Sequence, residues 1–208
     1  MFASLHIPVS IRCASLVAGL ALCAAGAASA QSTVVRVTTN VGNIDIQLLD
    51  AEAPKTVANY LAYVRSNAWA NVLVHRSVPG FVIQTGGYRW TSDTAVVKIP
   101  ANPAVVNEFS STRSNIRGTV AMAKLGGNPN SATSEWFVNL SNNSANLDTQ
   151  NGGFTVFARV STEGMATADK IAGLPRVNAA PNPPNGVGNS ALSEMPVTSS
   201  QARLDNIR

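Results

Sequence analysis

The chain has 208 residues, 45% of them hydrophobic and only 12% charged, which suits one domain with a sizeable core. Ordinary apolar content and a net charge of +4 exclude a disordered chain and give no basis for nucleic-acid binding. The two cysteines and two histidines leave little material for thiol or metal chemistry.

The first thirty residues read as a secretory signal peptide. Arg12 precedes an apolar, small-residue run from Ala14 to Ala28, and Ala28-Ser29-Ala30 ahead of Gln31 is an A-x-A cleavage site. The run is shorter than the ~20 apolar residues a bilayer requires, so a cleaved signal is preferred to a retained anchor. Cleavage after Ala30 removes Cys13, Cys23 and His6 and leaves residues 31–208 as a single domain with His75 as its one histidine. That mature chain has no thiol nucleophile, no disulfide, no Cys-ligated zinc site and no histidine cluster, so no metal and no cofactor is expected.

Residues 33–49 predict a hairpin. Val35 and Val37, then Ile44, Ile46 and Leu48, alternate with polar residues around an Asn40-Val41-Gly42-Asn43 turn. Pro54 suits a helix first turn, and Val57, Tyr60, Leu61 and Val64 recur at helical spacing, giving a helix over 54–66. Residues 72–87 are β-prone, broken by Pro79-Gly80; Val72, Val74, Arg76 and Val78 share one strand parity, Val82 and Gln84 another. An arginine in that apolar company is either a rim residue capping carbonyls or a functional group. Strands are predicted over 118–124, 135–140 and 154–160, with a loop at 125–131. Met165, Ala168 and Ile171 mark a helix over 164–172, residues 178–189 a long loop, and 195–204 a last strand. Many short strands with two helices suggest one antiparallel barrel or sandwich with helices at its ends.

Several chemistries find no support. A serine hydrolase would depend on His75 alone, with no G-x-S-x-G turn and no S-x-x-K pair. None of the three Gly-Gly pairs belongs to a phosphate-binding or dinucleotide fingerprint. Nothing singles out two of the 11 acidic residues as a catalytic pair. What is left is an apolar, partly aromatic surface carrying one arginine and one glutamine. It could bind a peptide, or catalyse a reaction needing only shape and a hydrogen-bond donor.

The segment from His75 to Gly87, His-Arg-Ser-Val-Pro-Gly-Phe-Val-Ile-Gln-Thr-Gly-Gly, resembles the central signature of the cyclophilin family of peptidyl-prolyl cis-trans isomerases. Other segments agree in order: Thr39 to Gly42 with Ile44, Ile46 and Leu48; Ala53 to Tyr60; Ala121-Met122-Ala123; Ser131 to Asn139; Leu147-Asp148; and Phe154 to Phe157. The similarity covers Val34 to Val160, with a weaker tail through Ile171, and is greatest to the periplasmic bacterial branch.

The resemblance implies a closed eight-stranded antiparallel β-barrel capped by two α-helices, with the site on its outer face. It implies Arg76 as the catalytic arginine and Phe81, Val82, Phe137 and Leu147 as the proline pocket, edged by Phe154. Gln84 would bond the substrate backbone, and Ala123 would line the peptide groove. The expected partners are proline-containing polypeptides being folded after export, bound by a periplasmic monomer with no membrane attachment after signal cleavage. Four positions depart from the family pattern: Val74 for the usual Phe, Val82 for Met, Glu135 for Gln, and Asn146 for an aromatic residue. These departures leave open an alternative, a non-catalytic module or holdase that binds proline-containing peptides.

Overall fold

The computed structural model describes residues 4–6, 32–91, 95–179 and 192–198. Its frame is one antiparallel sheet that curls around the main core. In chain order the strands are β1 (Ser4–His6), β2 (Val34–Thr39), β3 (Gly42–Leu48), β4 (Val72–Leu73), β5 (Arg76–Val78), β6 (Val82–Thr85), β7 (Tyr88–Thr91), β8 (Ala95–Lys98), β9 (Thr119–Met122), β10 (Trp136–Asn139) and β11 (Val156–Val160). They lie in the order β5-β6-β10-β9-β11-β3-β2-β1-β4-β7-β8. A separate two-stranded ribbon joins β12 (Arg176–Val177) to β13 (Met195–Pro196).

The β2–β3 hairpin forms where alternation predicts it, pairing Val35 with Ile46 and Val37 with Ile44 so that all four side chains are buried. The run from Val72 to Val78 is not one strand. Val74 and His75 interrupt it, so β4 pairs with β1 and β7 while β5 pairs with β6 at the far end of the sheet. The chain turns a corner there, and parity does not carry through it: Val72 and Val74 are in the core, whereas Arg76 is half-exposed.

The fold is mainly β, as expected, but closure into an eight-stranded barrel is not shown. Among the described residues β5 and β8 end the sheet and are not paired with each other. Among the described residues there are three α-helices rather than two: α1 (Pro54–Arg65), the one-turn α2 (Ser144–Leu147) and α3 (Thr162–Ala172). None is long and apolar enough to cross a membrane. The β7–β8 hairpin was not foreseen. Of the predicted strand over 195–204, Met195–Pro196 is seen and 199–204 lies outside the described residues, as does most of the 178–189 loop.

Helix α1 presents Val57, Tyr60 and Val64 to the core at helical spacing. Its Ala53 cap position supplies no side-chain acceptor. Glu108 does so from a distant loop, accepting from the backbone N–H of Lys55 (3.1 Å) and of Thr56 (2.7 Å) and from the Thr56 hydroxyl. Helix α3 caps itself, Ser161 Oγ accepting from Gly164 N at 3.0 Å. An aromatic cluster fills the space between α1 and the sheet, with Tyr63 stacked on Trp69 at 5.1 Å and Tyr60 within 5.0 Å of Phe157.

The sheet is apolar on both faces at one place, and this positions the site. Ile83, Val120, Met122, Trp136, Val138 and Phe157 point into the main core. Their neighbours Val82, Ala121, Phe137 and Val156 point outward and form a second cluster with Leu147. Continuous burial along β9 and β10 is therefore a two-sided sheet, the outer side covered by loops.

Candidate active site

Arg76 sits on β5 between His75 and Ser77, both fully buried. With its two neighbours turned inward, the arginine faces out, its side chain 33% exposed. The chain then reverses at Val78-Pro79-Gly80-Phe81, with Phe81 N donating to Val78 O at 2.9 Å. Gly80 takes φ +74°, the left-handed conformation such a turn requires. The return strand β6 pairs Arg76 with Gln84 and Val78 with Val82, so the two polar groups stand opposite each other on the outer face. β10 lies alongside and sets Phe137 against Gln84. Gly86, at φ +86°, permits a close approach to this strand's leading loop, since a Cβ there would lie 2.2 Å from Ser134 O.

Ala123 follows β9, Leu147 ends α2, and Phe154 is tied to it by a 2.8 Å bond from Phe154 N to Leu147 O. All eight expected residues, Arg76, Phe81, Val82, Gln84, Ala123, Phe137, Leu147 and Phe154, line one cleft of about 230 Å³. Phe137 and Phe154 meet edge to face with centroids 5.9 Å apart. The floor is thus apolar and aromatic, with the guanidinium and one amide at one side.

The cleft also contains Lys124 and Gln150, which sequence reasoning did not single out. Lys124 Nζ donates to Asn151 O (2.8 Å) and Gly153 O (2.6 Å) and lies 4.6 Å from the Phe154 ring centre. Burial pushes its pKa below the usual lysine value. It ties the loop carrying Phe154 to the segment that follows β9 and carries Ala123.

Two carboxylates stand behind the polar groups. Glu194 Oε2 is 3.4 Å from Arg76 Nε, and its backbone carbonyl accepts from Ser77 N at 2.8 Å. Glu135 Oε2 accepts from Gln84 Nε2 at 2.7 Å and lies 3.5 Å from His75 Nε2 without a formed hydrogen bond. Burial opposes ionisation of Glu135, but the close His75 imidazole, the Gln84 amide and the Lys98 ammonium outweigh it and hold the carboxyl below its usual range. No sequence signal marked Glu194, because it arrives from a segment far away in the chain.

Of the departures from the family pattern, Val82 lines the cleft, whereas Val74 is in the main core and Asn146 is exposed. Beneath the cleft runs a buried amide network. Asn143 Nδ2 donates to Phe81 O and to Asn139 Oδ1; Asn139 Nδ2 donates to Asn115 Oδ1; Asn115 Nδ2 donates to Asp148 Oδ1 and Phe154 O. It joins the backbones of two pocket phenylalanines from below. Among the described residues no three His, Cys, Asp or Glu side chains are grouped so as to hold a metal ion.

The curled β-sheet thus bears an outer aromatic cleft, with Arg76 and Gln84 facing each other across paired strands. Residues 34–188 match the family described as “Cyclophilin type peptidyl-prolyl cis-trans isomerase/CLD”. The chain is 38% identical to a peptidyl-prolyl cis-trans isomerase of Acinetobacter baylyi over 79% of its own length and 83% of the relative's. It is 39% identical to peptidyl-prolyl cis-trans isomerase A of Dickeya dadantii, covering 74% and 78%. In fold it is similar to a cyclophilin type isomerase of Cryptosporidium parvum crystallised in the presence of the dipeptide Ala-Pro, with TM-score 0.57, 21% identity, and 80% and 99% of the two chains covered. The chain belongs to the cyclophilin-type peptidyl-prolyl cis-trans isomerases, and it is an isomerase enzyme.

Proposed function

We propose that Arg76 is the catalytic residue of this isomerase and that Phe81, Val82, Phe137 and Leu147 hold the proline ring, with Phe154 at the pocket edge. Gln84 bonds the peptide backbone and Ala123 lines the groove. The observation that carries this reading is the convergence of these residues, from five separate stretches of chain, on one cleft with a cation at its side.

The chemistry asks for no nucleophile. The barrier to rotation about an amide is about 18–20 kcal/mol, and it comes from resonance between nitrogen and carbonyl. As the bond twists, the prolyl nitrogen becomes pyramidal and recovers its lone pair. The cationic guanidinium of Arg76 donates a hydrogen bond to that nitrogen more strongly than to the planar amide. The apolar floor holds the ring still and lowers the local dielectric, which strengthens the donated bond. Each ~1.36 kcal/mol of such preference is a factor of ten in rate.

A protease-coupled assay on an Ala-Pro tetrapeptide tests this. Arg76→Ala should lower kcat/KM by about a hundredfold, the loss of one strong transition-state donor. Rates equal to the wild type would remove Arg76 from the mechanism.

We further propose that the enzyme acts on exported polypeptides as a periplasmic monomer, and that the mature sheet closes into the family's eight-stranded barrel. The export reading is supported by the charged, apolar and A-x-A pattern over residues 1–30. Recovered from a cell envelope fraction, the protein should begin at Gln31; an intact Met1 terminus on cytoplasmic protein would sink the export reading.

A further inference from the structure

We infer that Glu135 is a positioning residue that fixes the Gln84 amide with its NH2 turned away from the peptide and its carbonyl oxygen, Oε1, presented to the groove. This rests on the reading of Arg76 and Gln84 as the polar side of the site. A carboxylate has no proton to donate, so the group it binds at 2.7 Å must be the Gln84 NH2. The planar amide then has only one orientation, and Oε1 is left as its acceptor, on a strand where Arg76 is the cross-strand partner of Gln84.

The seat of Glu135 is built to hold it. Its backbone carbonyl accepts from Ala123 N at 2.9 Å, anchoring it beside the groove strand. A Cβ on Gly87 would come within 2.7 Å of Glu135 Oε1, so the carboxylate packs where only glycine leaves room. Behind it lies His75, fully buried, edge to face with Tyr88 at 5.0 Å, with no protein group hydrogen-bonded to either ring nitrogen. The charged or titratable groups that face Glu135 are this imidazole and Lys98, both of a kind that favours the carboxylate. A glutamine at 135, the residue common in the resembling family, could donate or accept, and would leave the Gln84 amide free to turn over. The negative charge thus gives the site one acceptor of defined direction, able to take an N–H from the peptide or from the guanidinium.

The test compares Glu135→Gln, Glu135→Leu, Arg76→Ala and the full wild-type chain in the tetrapeptide assay, with the Gln84 side-chain NH2 followed by 15N NMR and assigned through Gln84→Ala. Loss of one oriented hydrogen bond should lower kcat/KM of both Glu135 variants about five- to tenfold. The loss should fall mainly on kcat, and it should exceed what the modest fall in thermal midpoint from losing the Glu135 charge explains. In the wild type the two NH2 protons should be widely separated in shift, and Glu135→Gln should bring them together. Wild-type kinetics in both Glu135 variants, while Arg76→Ala is impaired, would overturn the inference alone. An unimpaired Arg76→Ala would overturn the site reading and this with it. Should the variants fail to fold, wild-type NH2 protons at free-amide spacing would overturn it on their own.

Discussion

Asn139 has no exposed surface, and its side chain has three hydrogen-bond partners. It donates to Asn115 Oδ1 and Thr119 Oγ1 and accepts from Asn143 Nδ2 at 2.7 Å. Leucine has similar volume and none of these groups. Asn139→Leu should therefore cost about 2–3 kcal/mol, because buried partners lose their mates rather than exchanging them for water. Urea unfolding measures the loss, and KM for the tetrapeptide should rise with it as Phe81 and Phe154 lose their common support. A cost under about 0.5 kcal/mol, the level of a neutral surface change, would show that the network carries no load. Nothing in the sequence distinguished this asparagine from other polar strand residues. Arg76 and Gln84 were visible because both stand in one short segment of recognisable pattern. Asn139, Lys124 and Glu194 were not, because their partners lie many residues away.

At the scale of elements, α1 shows how a local rule can be met from elsewhere. Its apolar stripe and Pro54 predicted the helix almost to the residue, 54–66 against the observed Pro54–Arg65. Its N-terminus nevertheless depends on Glu108, whose carboxylate satisfies two backbone N–H groups that Ala53 cannot. Glu108→Ala should destabilise the protein by about 1–2 kcal/mol, the usual worth of a cap plus a negative charge at a helix N-terminus. Thermal unfolding of that variant beside Glu163→Ala, which removes an exposed first-turn acid from self-capped α3, provides the check. Equal small shifts would deny Glu108 a special part. The corner at Val74 and His75 teaches the opposite lesson. A single parity was expected to run through it, yet the two halves pair at distant places in the sheet. β1 lies within the stretch expected to be cleaved; its loss would leave the β2 ladder to β3 in place and expose the edges facing β1 on β2 and β4.

For the whole molecule charge is sparse, and among the described residues two arginine–aspartate pairs stand out. Arg36 with Asp45 and Arg117 with Asp169 each form short two-point bridges at the surface. The hydrogen-bonded arginines hold the Asp45 and Asp169 carboxyls below their ordinary range, and Glu135 is held low at the site. A carboxyl whose folded pKa is depressed adds stability above its unfolded value, and that contribution is lost as pH falls through the folded value. The thermal midpoint should thus be level from pH 7 to about 5 and fall below about pH 4, where unperturbed carboxyls titrate. Because two of the pairs are exposed, part of the drop should vanish in Arg117→Ala, and added salt should reduce it. A midpoint that rises on acidification from pH 5 to 3 would contradict this assignment.

Read alone, the chain determined its β-rich class, the β2–β3 hairpin and the α1 stripe, and its contiguous resemblance to the cyclophilins pointed to eight of the cleft residues. These depend on alternation, helical spacing and short contiguous patterns, which are local. Only the tertiary structure decided how the strands are ordered, that the sheet is apolar on both faces beneath the cleft, and which carboxylate stands behind each polar group. Such matters depend on contacts between residues fifty or more positions apart, as between Gln84 and Glu135 or Arg76 and Glu194, and no local period encodes them.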